Sequence, residues 1–271
     1  MLITMAITSS RFEAVFHSMF APERHRQILR LLTEQGRLSL AEAASRLGVS
    51  PATARRDFNA LAAAGHALRS HGVLLPRDNG LAEPRYSRKA EKAVATKARL
   101  GRAVAALLPE AGSIFIDAGT TTLEVGRALL DRPRLRIHTN SLPLLCLAPE
   151  ARATLIAVGG EVRPLGLSLT GALAQHWLQN LRFDVVVLGA SGLDPDEGAS
   201  TTEASEAALK TESLRRAPRR ILVAHREKWA RPSALRFAPW SAFTDLVSDH
   251  PFSRAERIAL GRAGLRLHSP F

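Results

Sequence analysis

The sequence predicts an α/β protein with two folded parts, a small helical domain followed by a larger domain built on a parallel sheet. Between Pro22 and Leu75, apolar residues recur at helical spacing in three short blocks. From Lys97 onward, short runs rich in β-branched residues alternate with helical blocks, a pattern typical of βαβ units. The predicted divisions are an N-terminal extension, a winged helix-turn-helix, a linker, a ligand-binding domain, and a final helix and strand that complete it: 1–21, 22–77, 78–96, 97–250 and 251–271.

The composition predicts a cytoplasmic protein without a membrane segment. The 271 residues are 46% hydrophobic and 23% charged, as in globular domains. No run approaches the ~18 uncharged apolar residues needed to cross a bilayer, and the first residues lack the basic leader of a signal peptide. The single cysteine, Cys146, has no partner for an intrachain disulfide. A formal net charge of +12 favours a polyanionic partner.

Capping signals divide the first domain into three helices. The first helix is predicted from about Pro22 to near Gly36. Ser39 opens the second, because its hydroxyl can cap the free amides and Glu42 stands three residues further on, as in a capping box. Ser50-Pro51 opens the third with a capping hydroxyl and a proline at the first helical position. A sharp glycine turn between the last two helices indicates a helix-turn-helix.

The third helix is predicted to enter the major groove of DNA. Ala54, Phe58 and Leu61 can face the core, while the exposed side carries basic and polar residues suited to base edges and phosphates. Beyond Gly65, a two-stranded wing offers further basic residues. The alternative is a three-helix packing module with a solvated basic face. The predicted DNA-contacting residues are Ser39, Ser50, Pro51, Thr53, Arg55, Arg56, Asn59, Arg69, His71 and Gly72.

Six strands are predicted in the second domain, and nearly every one ends in small or polar residues. Ligands of open parallel sheets bind beyond the carboxyl ends of the strands, so these loops are the predicted site. The predicted strands are 113–117, 135–139, 154–158, 184–189, 220–224 and 245–248.

The segment from Asp117 to Thr122 is the sharpest ligand-binding candidate. Gly119 allows close approach of the backbone, and the free amides of the helix start and three threonine hydroxyls suit a phosphate. Asp117 can accept hydrogen bonds from sugar hydroxyls. The alternative is a turn whose threonines only cap the helix. Two uses are open to Lys210: it neutralises a phosphate, or it pairs with Glu206 at helical spacing.

Both halves of the chain resemble the DeoR family of transcription regulators. In the first half the resemblance is carried by Arg24-His25, by the run from Val49 to Phe58, and by Arg69-Ser70-His71-Gly72. One departure is Val73, where the family usually has a second glycine in the wing. The resemblance in the second half covers residues 97 to about 250, a domain similar in fold to ribose-5-phosphate isomerase and the CoA-transferase-like proteins.

A second departure follows the fifth predicted strand. The family usually has an Asp-Ser-Ser-Lys run there, whereas this chain has Ala-His-Arg-Glu-Lys-Trp at 224–229 and retains only Lys228. His225 can replace the acidic group as a hydrogen-bonding partner, or the loop lies away from the ligand.

The resemblance implies a repressor that binds double-stranded operator DNA and is released by a phosphorylated sugar. It also implies a homo-oligomer, because operators of such proteins are repeated sites. The effector-binding residues that follow from the loops and from the resemblance are Asp117, Gly119, Thr120, Thr121, Thr122, Asn140, Ser141, Gly159, Gly160, Arg163, Gly171, Gly189, Lys210 and Lys228.

An enzyme is the main alternative function, either a sugar-phosphate isomerase or a CoA-transferase-like protein. Isomerisation needs a positioned general base, and the acidic cluster of Asp194, Asp196 and Glu197 falls in a turn where solvation is its expected role. The scattered histidines and lone cysteine give no zinc-binding spacing. We therefore predict no catalytic residues, no cofactor and no metal site. A DNA-binding scaffold that has lost its ligand response is a third possibility, suggested by the altered run at 224–229.

Overall fold

The computed structural model describes residues 20–35, 37–70, 72–76 and 84–270, so most of the predicted N-terminal extension and the start of the predicted linker lie outside it. The chain divides into two compact units between residues 78 and 79. The helices are α1 (Ala21–Gln35), α2 (Leu40–Leu47), α3 (Pro51–Ala63), α4 (Tyr86–Ala90), α5 (Val94–Ala106), α6 (Thr120–Arg127), α7 (Leu142–Leu145), α8 (Gly171–Gln179), α9 (Ala204–Leu214) and α10 (Arg254–Arg262). The strands are β1 (Leu38–Ser39), β2 (Ala67–Ser70), β3 (Val73–Pro76), β4 (Ala111–Ile116), β5 (Arg134–Thr139), β6 (Thr154–Ala157), β7 (Glu161–Arg163), β8 (Ser168–Thr170), β9 (Val185–Leu188), β10 (Gly192–Asp194), β11 (Gly198–Thr201), β12 (Arg219–Val223), β13 (Leu235–Ala238), β14 (Asp245–Val247) and β15 (Arg266–His268).

The N-terminal unit is a winged helix-turn-helix. Its three helices surround a core that contains the fully buried Ile28, Ala54 and Phe58. The wing strands β2 and β3 pair antiparallel, as the sequence predicts. The structure adds β1, a two-residue strand in which Leu38 pairs with Leu74 of β3. This pairing ties the wing to the start of α2.

The second unit is built on a seven-stranded parallel sheet with the order β15-β14-β12-β9-β4-β5-β6. Successive side chains of a strand face opposite sides: Phe115 lies in one core, and Ile114 and Ile116 lie in the other. Helices α5, α6 and α7 cover the second core, while α8, α9 and α10 cover the first. The sheet is thus buried on both faces, which confirms the predicted α/β class.

The strand order reverses beside β4. From β4 the chain adds β5 and β6 on one side, and then returns to add β9, β12, β14 and β15 on the other. Such a reversal leaves a crevice at the carboxyl edge of the sheet, between the loops that leave the strands on either side. The loop from Asp117 to Gly119, which leaves β4, borders this crevice.

Two smaller sheets were not predicted. Strands β7 and β8 form an antiparallel hairpin that leads directly into α8. Strands β10, β11 and β13 form an antiparallel sheet beside α9. All six strands predicted for the second domain are present in the large sheet.

Candidate DNA-binding surface and effector site

Local capping interactions set the start of α2 and α3. The Ser50 hydroxyl accepts a hydrogen bond from the Thr53 N–H at 3.2 Å, and Pro51 occupies the first turn. At α2, the Glu42 N–H donates to the Ser39 hydroxyl at 3.2 Å, and the Ser39 N–H donates to the Glu42 carboxylate at 2.9 Å, completing the capping box. Ser39 and Ser50 therefore orient the two helices, and each hydroxyl is already engaged in its cap.

A buried ion pair holds α3 against α1. The Asp57 carboxylate is buried and accepts hydrogen bonds from Arg24 Nε at 2.8 Å and Nη2 at 3.0 Å, and His25 Nε2 lies 3.1 Å from it. Burial raises the pKa of Asp57, but the hydrogen bonds and charges of Arg24 and His25 outweigh burial and lower the pKa. Asp57 was not among the predicted site residues, although the family pattern includes all three residues.

The other face of α3 is open to solvent. Arg55, Arg56 and Asn59 are exposed, while Ala54, Phe58 and Leu61 are buried as predicted. Arg69 of the wing donates a hydrogen bond to the side-chain amide oxygen of Asn59, so that the wing and α3 present one surface.

The turn of the wing is fixed by its backbone. Gly72 has φ +81°, in the left-handed region, and its carbonyl accepts from the Leu40 N–H at 3.0 Å. The wing therefore contacts the first residue of α2. The predicted DNA contact His71 lies outside the described residues.

An ion pair lies at the tip of β4 in the second unit. Asp117 and Lys210 are both buried, and the Lys210 ammonium donates to Asp117 Oδ2 and, at 3.1 Å, to the Gly189 carbonyl. The Gly189 N–H donates to the same Asp117 oxygen at 3.2 Å. Three predicted effector residues, from the loops after β4 and β9 and from α9, thus meet at the crevice.

A second set of hydrogen bonds joins the loops after β4 and β5. Asn140 is buried, and its side-chain oxygen accepts from the Ala118 N–H at 2.7 Å. The Thr139 hydroxyl donates to the Ile116 carbonyl at 2.6 Å. The Ser141 hydroxyl caps α7 by accepting from the Leu144 N–H at 3.3 Å. The Asn140 side-chain oxygen and the Ser141 hydroxyl therefore help to shape the two neighbouring loops.

One of the three threonine hydroxyls that were predicted to face a ligand at the start of α6 is buried instead. Thr122 is fully buried, and its hydroxyl donates to the Gly119 carbonyl at 3.1 Å. Thr120 and Thr121 are half-buried in the first turn. Gly119 occupies the N-cap with no side chain to bond the free amides of this turn. Two threonine hydroxyls and these amides, rather than three hydroxyls, remain for a ligand.

Glu206 does not pair with Lys210. Of the two predicted uses of Lys210, the ion pair with Glu206 at helical spacing is therefore wrong. Arg163 Nη1 donates to Glu206 at 3.0 Å, and the Thr201 hydroxyl donates to its other carboxylate oxygen at 3.1 Å. Arg163 is thus committed to an ion pair in this structure. The pairing reflects folding of the β7–β8 hairpin over α9, which helical spacing alone does not reveal.

The predicted glycines of this region permit close backbone contacts. A side chain at Gly160 would place its Cβ 2.4 Å from the Thr170 carbonyl oxygen. Gly171, the first residue of α8, has φ +89°. These glycines, with Gly159, hold the β7–β8 hairpin against α8.

Lys228 ends a short 3-10 helix, Arg226–Lys228, in the altered loop after β12. His225 precedes this turn and is buried; burial, followed by the positive charge of Lys228, lowers the pKa of His225 to about 4. The imidazole is therefore neutral near pH 7. It can replace the family's acidic residue as a hydrogen-bonding group, but not as a negative charge.

Comparison with known families identifies both units. A model of the DeoR-like helix-turn-helix domain matches residues 24–76, and a model of the DeoR C terminal sensor domain matches residues 92–250. The chain belongs to the DeoR family. It is a transcription regulator in which a DNA-binding domain precedes a sensor domain.

Named relatives match this DeoR-family regulator over most of its length. It is 31% identical over 230 residues to the Glycerol-3-phosphate regulon repressor of Escherichia coli K12, covering 84% of this chain and 91% of that protein. It is 30% identical over 247 residues to the HTH-type transcriptional regulator GlpR of Haloferax volcanii, covering 91% and 97%. The Transcriptional repressor AccR of Agrobacterium fabrum is 29% identical over 221 residues, covering 81% and 85%.

Likenesses to solved structures are partial. Ribose 5-phosphate isomerase A of Methanocaldococcus jannaschii is 13% identical with a TM-score of 0.38, covering 51% of the regulator and 55% of that chain. RipA of Yersinia pestis is 16% identical with a TM-score of 0.42, covering 64% and 49%. The fold is assigned from the sheet order described above.

Lys97 is a residue of the DeoR-family regulator that sequence reasoning missed. It is buried on α5, and its ammonium donates to the Lys89 carbonyl at the end of α4. Burial, followed by the charges of Lys228 and Lys89, lowers the pKa of Lys97 to about 8. The available signal was its position, because Lys97 shares the helical face of Leu100, Gly101 and Val104, where a lysine is unexpected.

Lys97 lies level with the start of α6. A Cβ on Gly101 would lie 2.6 Å from the Glu124 backbone, so α5 and α6 are in close contact there. Both helices run from the carboxyl edge of the sheet, because α5 leads into β4 and α6 follows it. Lys97 on α5 and Thr120 on α6 each lie one helical turn before this contact.

The sequence also predicts neither a metal site nor a membrane-spanning segment. Among the described residues, no group of three or more histidine, cysteine, aspartate or glutamate side chains could hold a metal ion. Within the same part of the chain, no helix is both long and apolar enough to cross a bilayer.

Proposed function

We propose that this DeoR-family regulator is a cytosolic, homo-oligomeric repressor of a sugar-related operon, and that a phosphorylated sugar relieves repression. The observation that carries the effector part is the buried Asp117–Lys210 pair beside the open first turn of α6. A buried ion pair costs desolvation free energy, and this one lies at the strand-order reversal where open sheets bind ligands. The E. coli relative is named for glycerol 3-phosphate, a phosphorylated polyol that shares the phosphate and hydroxyl groups of a sugar phosphate.

The phosphate is assigned to the first turn of α6. Its free amides carry the positive end of the helix dipole, and the half-buried Thr120 and Thr121 add hydroxyls. Lys97 and Lys228 supply cationic charge, and the charge of Lys228 lies close enough to lower the pKa of Lys97. An anion bound between them reduces their mutual repulsion.

The sugar is assigned to the Asp117 side of the crevice. Asp117 Oδ2 is occupied by Lys210 and the Gly189 N–H, so sugar hydroxyls would donate to the other carboxylate oxygen. Lys210 holds the Asp117 carboxylate in place. Polar groups fixed in this way distinguish a sugar phosphate from inorganic phosphate, because the latter offers no hydroxyl-bearing chain.

DNA binding is assigned to α3 and the wing. Arg55 and Arg56 lie about 100° apart on the helix, so one can read a base while the other contacts phosphate. Asn59 and Arg69 extend this surface to the wing.

The DNA-binding part is tested with a labelled duplex from the promoter beside the gene, measured by fluorescence anisotropy at moderate salt. We expect retention that exceeds that of an unrelated duplex by at least about 10³-fold. Arg55→Ala combined with Arg56→Ala should abolish this preference, whereas Arg262→Ala, an exposed arginine on α10, should not. Unchanged operator affinity in the double variant would refute the assignment of α3.

The effector part is tested by titrating the bound complex with glycerol 3-phosphate and a panel of sugar phosphates. We expect one member to release the DNA and to raise the melting temperature of the full chain. Lys210→Met should lose both effects, with inorganic phosphate as the comparison ligand for the wild type. If the operator binds but no phosphorylated sugar releases it, the sensor assignment fails and the DNA-binding assignment stands. We expect no turnover of ribose 5-phosphate, and turnover would favour the isomerase alternative.

A further inference from the structure

His225 faces the side of the sheet that α5 and α6 cover. In β12, Ile221 and Val223 lie in the core beneath these helices, whereas Ala224 lies in the opposite core. The backbone is still extended at His225, with φ −79° and ψ 155°. Because successive side chains of an extended chain alternate, the imidazole continues the row of Ile221 and Val223, on the side where Lys97 lies.

The imidazole of His225 is buried but has no hydrogen-bond partner among the described residues. Its exposed fraction is 8%, and neither ring nitrogen bonds to another group within that part of the chain. The unpaired side-chain atoms that are sealed from solvent there belong to Tyr86 and His138, so the nitrogens of His225 remain accessible. Buried polar groups normally have a partner. An accessible, unpaired imidazole in a buried position is therefore suited to a ligand.

The loop after β12 is held by the segment that follows β14. The Arg226 N–H donates to the Asp249 carboxylate at 2.6 Å, and Trp229 Nε1 donates to Glu256 at 2.7 Å. The Trp229 ring also stacks on His250, with the ring centroids 5.0 Å apart. These contacts fix the loop and, with it, the direction of the imidazole that precedes Arg226. A ligand-binding group needs this kind of support.

Two lysines determine the electrostatic surroundings of the imidazole. Burial has the largest effect on the pKa of both His225 and Lys97 and lowers both, and among the charges Lys228 lowers both most. The Lys228 ammonium therefore lies near each of them. The family's usual Asp-Ser-Ser-Lys run begins with aspartate at this position, whereas His225 is neutral near pH 7. The two lysines thus have one carboxylate fewer beside them than the family pattern provides.

We propose that the effector carries a carboxylate in addition to its phosphate, and that His225 and Lys228 bind this carboxylate. The imidazole N–H and the ammonium both donate hydrogen bonds, and a carboxylate accepts them at two oxygens. One positive charge beside a neutral imidazole matches a carboxylate better than it matches a second phosphate. The inference rests on the proposed effector site and narrows its ligand to phosphorylated sugar acids.

The strand order gives the two anionic groups separate positions. The phosphate keeps its place at the first turn of α6, which follows β4, and Lys97 lies level with that turn. The carboxylate lies at the loop after β12, and β9 separates β12 from β4 in the sheet. The hydroxyl-binding Asp117 and the Gly189 loop lie between the two groups. A sugar acid with its phosphate at one end and its carboxylate at the other end of the carbon chain fits this order.

Matched ligands test the carboxylate by calorimetry on the full chain. The probes are 3-phosphoglycerate with glycerol 3-phosphate, and 6-phosphogluconate with glucitol 6-phosphate. Within each pair, a carboxylate replaces a terminal CH₂OH group and nothing else changes. We expect the acid of at least one pair to bind at least about tenfold more tightly than its neutral partner, which is the usual effect of a charge-assisted hydrogen bond.

Substitutions at His225 test the location. His225→Asp should lower the ratio of acid to neutral affinity at least about tenfold, because its carboxylate repels that of the ligand. His225→Asn has the shape of aspartate but is neutral and keeps a donor, so it should retain most of the preference. The matched control is His176→Asp at an exposed position of α8, and it should leave the ratio unchanged. A loss of folding lowers both affinities together and does not alter their ratio.

The outcomes separate this inference from the proposed function. Equal binding within both pairs, or tighter binding of the neutral members, overturns the carboxylate. A preference that survives His225→Asp overturns its assignment to His225. In each case, release of the operator by a neutral sugar phosphate still supports the proposed function. Failure of every phosphorylated ligand to bind overturns the effector part of the proposed function and this inference together.

Discussion

A single buried carboxylate joins three strands at the amino edge of the sheet. Asp245, the first residue of β14, is fully buried and accepts hydrogen bonds from the Thr244 hydroxyl at 2.7 Å and from Arg266 Nη2 at 2.9 Å. Arg219 Nε lies 3.3 Å away and His268 Nε2 lies 2.8 Å away. Strands β12, β14 and β15 therefore begin at one shared anion, on the edge opposite the effector loops.

Replacing Asp245 by asparagine should destabilise the sensor domain by about 1–3 kcal/mol, because the fully buried site loses its carboxylate hydrogen bonds to the partly exposed Arg219, Arg266 and His268. The measurement is urea unfolding followed by tryptophan fluorescence, since Trp177, Trp229 and Trp240 all lie in this domain. Asp131→Asn, at an exposed site, is the control and should change stability by less than about 0.5 kcal/mol.

The loss of stability caused by Asp245→Asn should depend on pH. Burial raises the pKa of Asp245, but hydrogen bonds from Arg219, Thr244, Arg266 and His268 lower it well below its ordinary range. A lowered folded-state pKa stabilises the protein above the unfolded pKa, and this contribution disappears as the pH falls towards the folded value. The stability difference between wild type and Asp245→Asn should therefore shrink below about pH 4; a constant difference would contradict this account.

Lys97 should make effector affinity depend on pH. Because its pKa is about 8, and because only the protonated ammonium attracts a phosphate, affinity should fall as the pH rises through this value. The effector phosphate itself is fully ionised there, with a second pKa of about 6. Lys97→Met should bind weakly with a flat profile, and Lys92→Met, at an exposed position, should follow the wild type in calorimetric titrations. A wild-type profile that is flat up to about pH 9 would place Lys97 outside the site.

At the scale of elements, the contact between α5 and α6 depends on Gly101. Gly101→Ala would place a methyl group 2.6 Å from the Glu124 backbone, so the helices must separate, at a cost of about 1–3 kcal/mol. Effector affinity should fall as well, because Lys97 and the start of α6 move apart. Gly261→Ala in α10, where a Cβ meets nothing within 4 Å, should instead stabilise by about 0.5–1 kcal/mol. Equal effects in thermal unfolding would show that helix separation is not required.

The ion pair between α1 and α3 should control the position of the recognition helix. Asp57→Ala removes the partner of Arg24 and should destabilise the N-terminal domain by about 3 kcal/mol. Amide hydrogen exchange in α1 and α3 should accelerate, and operator affinity should fall without a change in its salt dependence. Glu23→Ala, on the exposed side of α1, is the control. A lower salt dependence would instead indicate a lost phosphate contact.

Elements whose signals are local could be predicted from the sequence. The caps at Ser39 and Ser50 need only neighbouring residues, and six of the seven strands of the large sheet were recognised from their apolar runs. Strand β1 could not be found, because its two residues become a strand only by pairing with Val73 and Leu74.

The same limit applies to the candidate site. The loop residues were predicted individually, but the partner of Asp117 lies 93 residues away at Lys210. The choice between Asp117 and Glu206 as partner of Lys210 depends on which strands are neighbours, which no local pattern contains. The helical spacing of Lys97 with Leu100 and Val104 indicates that it is buried, but only the packing of α5 on α6 shows what surrounds it.

At the scale of the whole molecule, the net charge of +12 should make DNA binding strongly salt-dependent. Raising the salt from about 50 to about 200 mM should weaken operator binding by about 10³–10⁵, if six to ten phosphates are contacted. The preference for operator over unrelated DNA should survive, because base contacts release few counterions. Anisotropy titrations at several salt concentrations measure both quantities. Binding that is insensitive to salt would mean that phosphate contacts contribute little.

The outward strand order of the sheet bears on synthesis of the chain. Strands β4, β5 and β6 can pair as soon as they have left the ribosome. Strand β9 then adds to the free side of β4, and each later strand adds to the strand before it in the sheet. No strand therefore has to insert between strands that are already paired. Until β9 emerges, however, one edge of β4 stays unpaired and apolar, a state prone to aggregation. A pause in translation after β6 would prolong that state, and the nascent half-sheet would then be a natural client for a ribosome-associated chaperone.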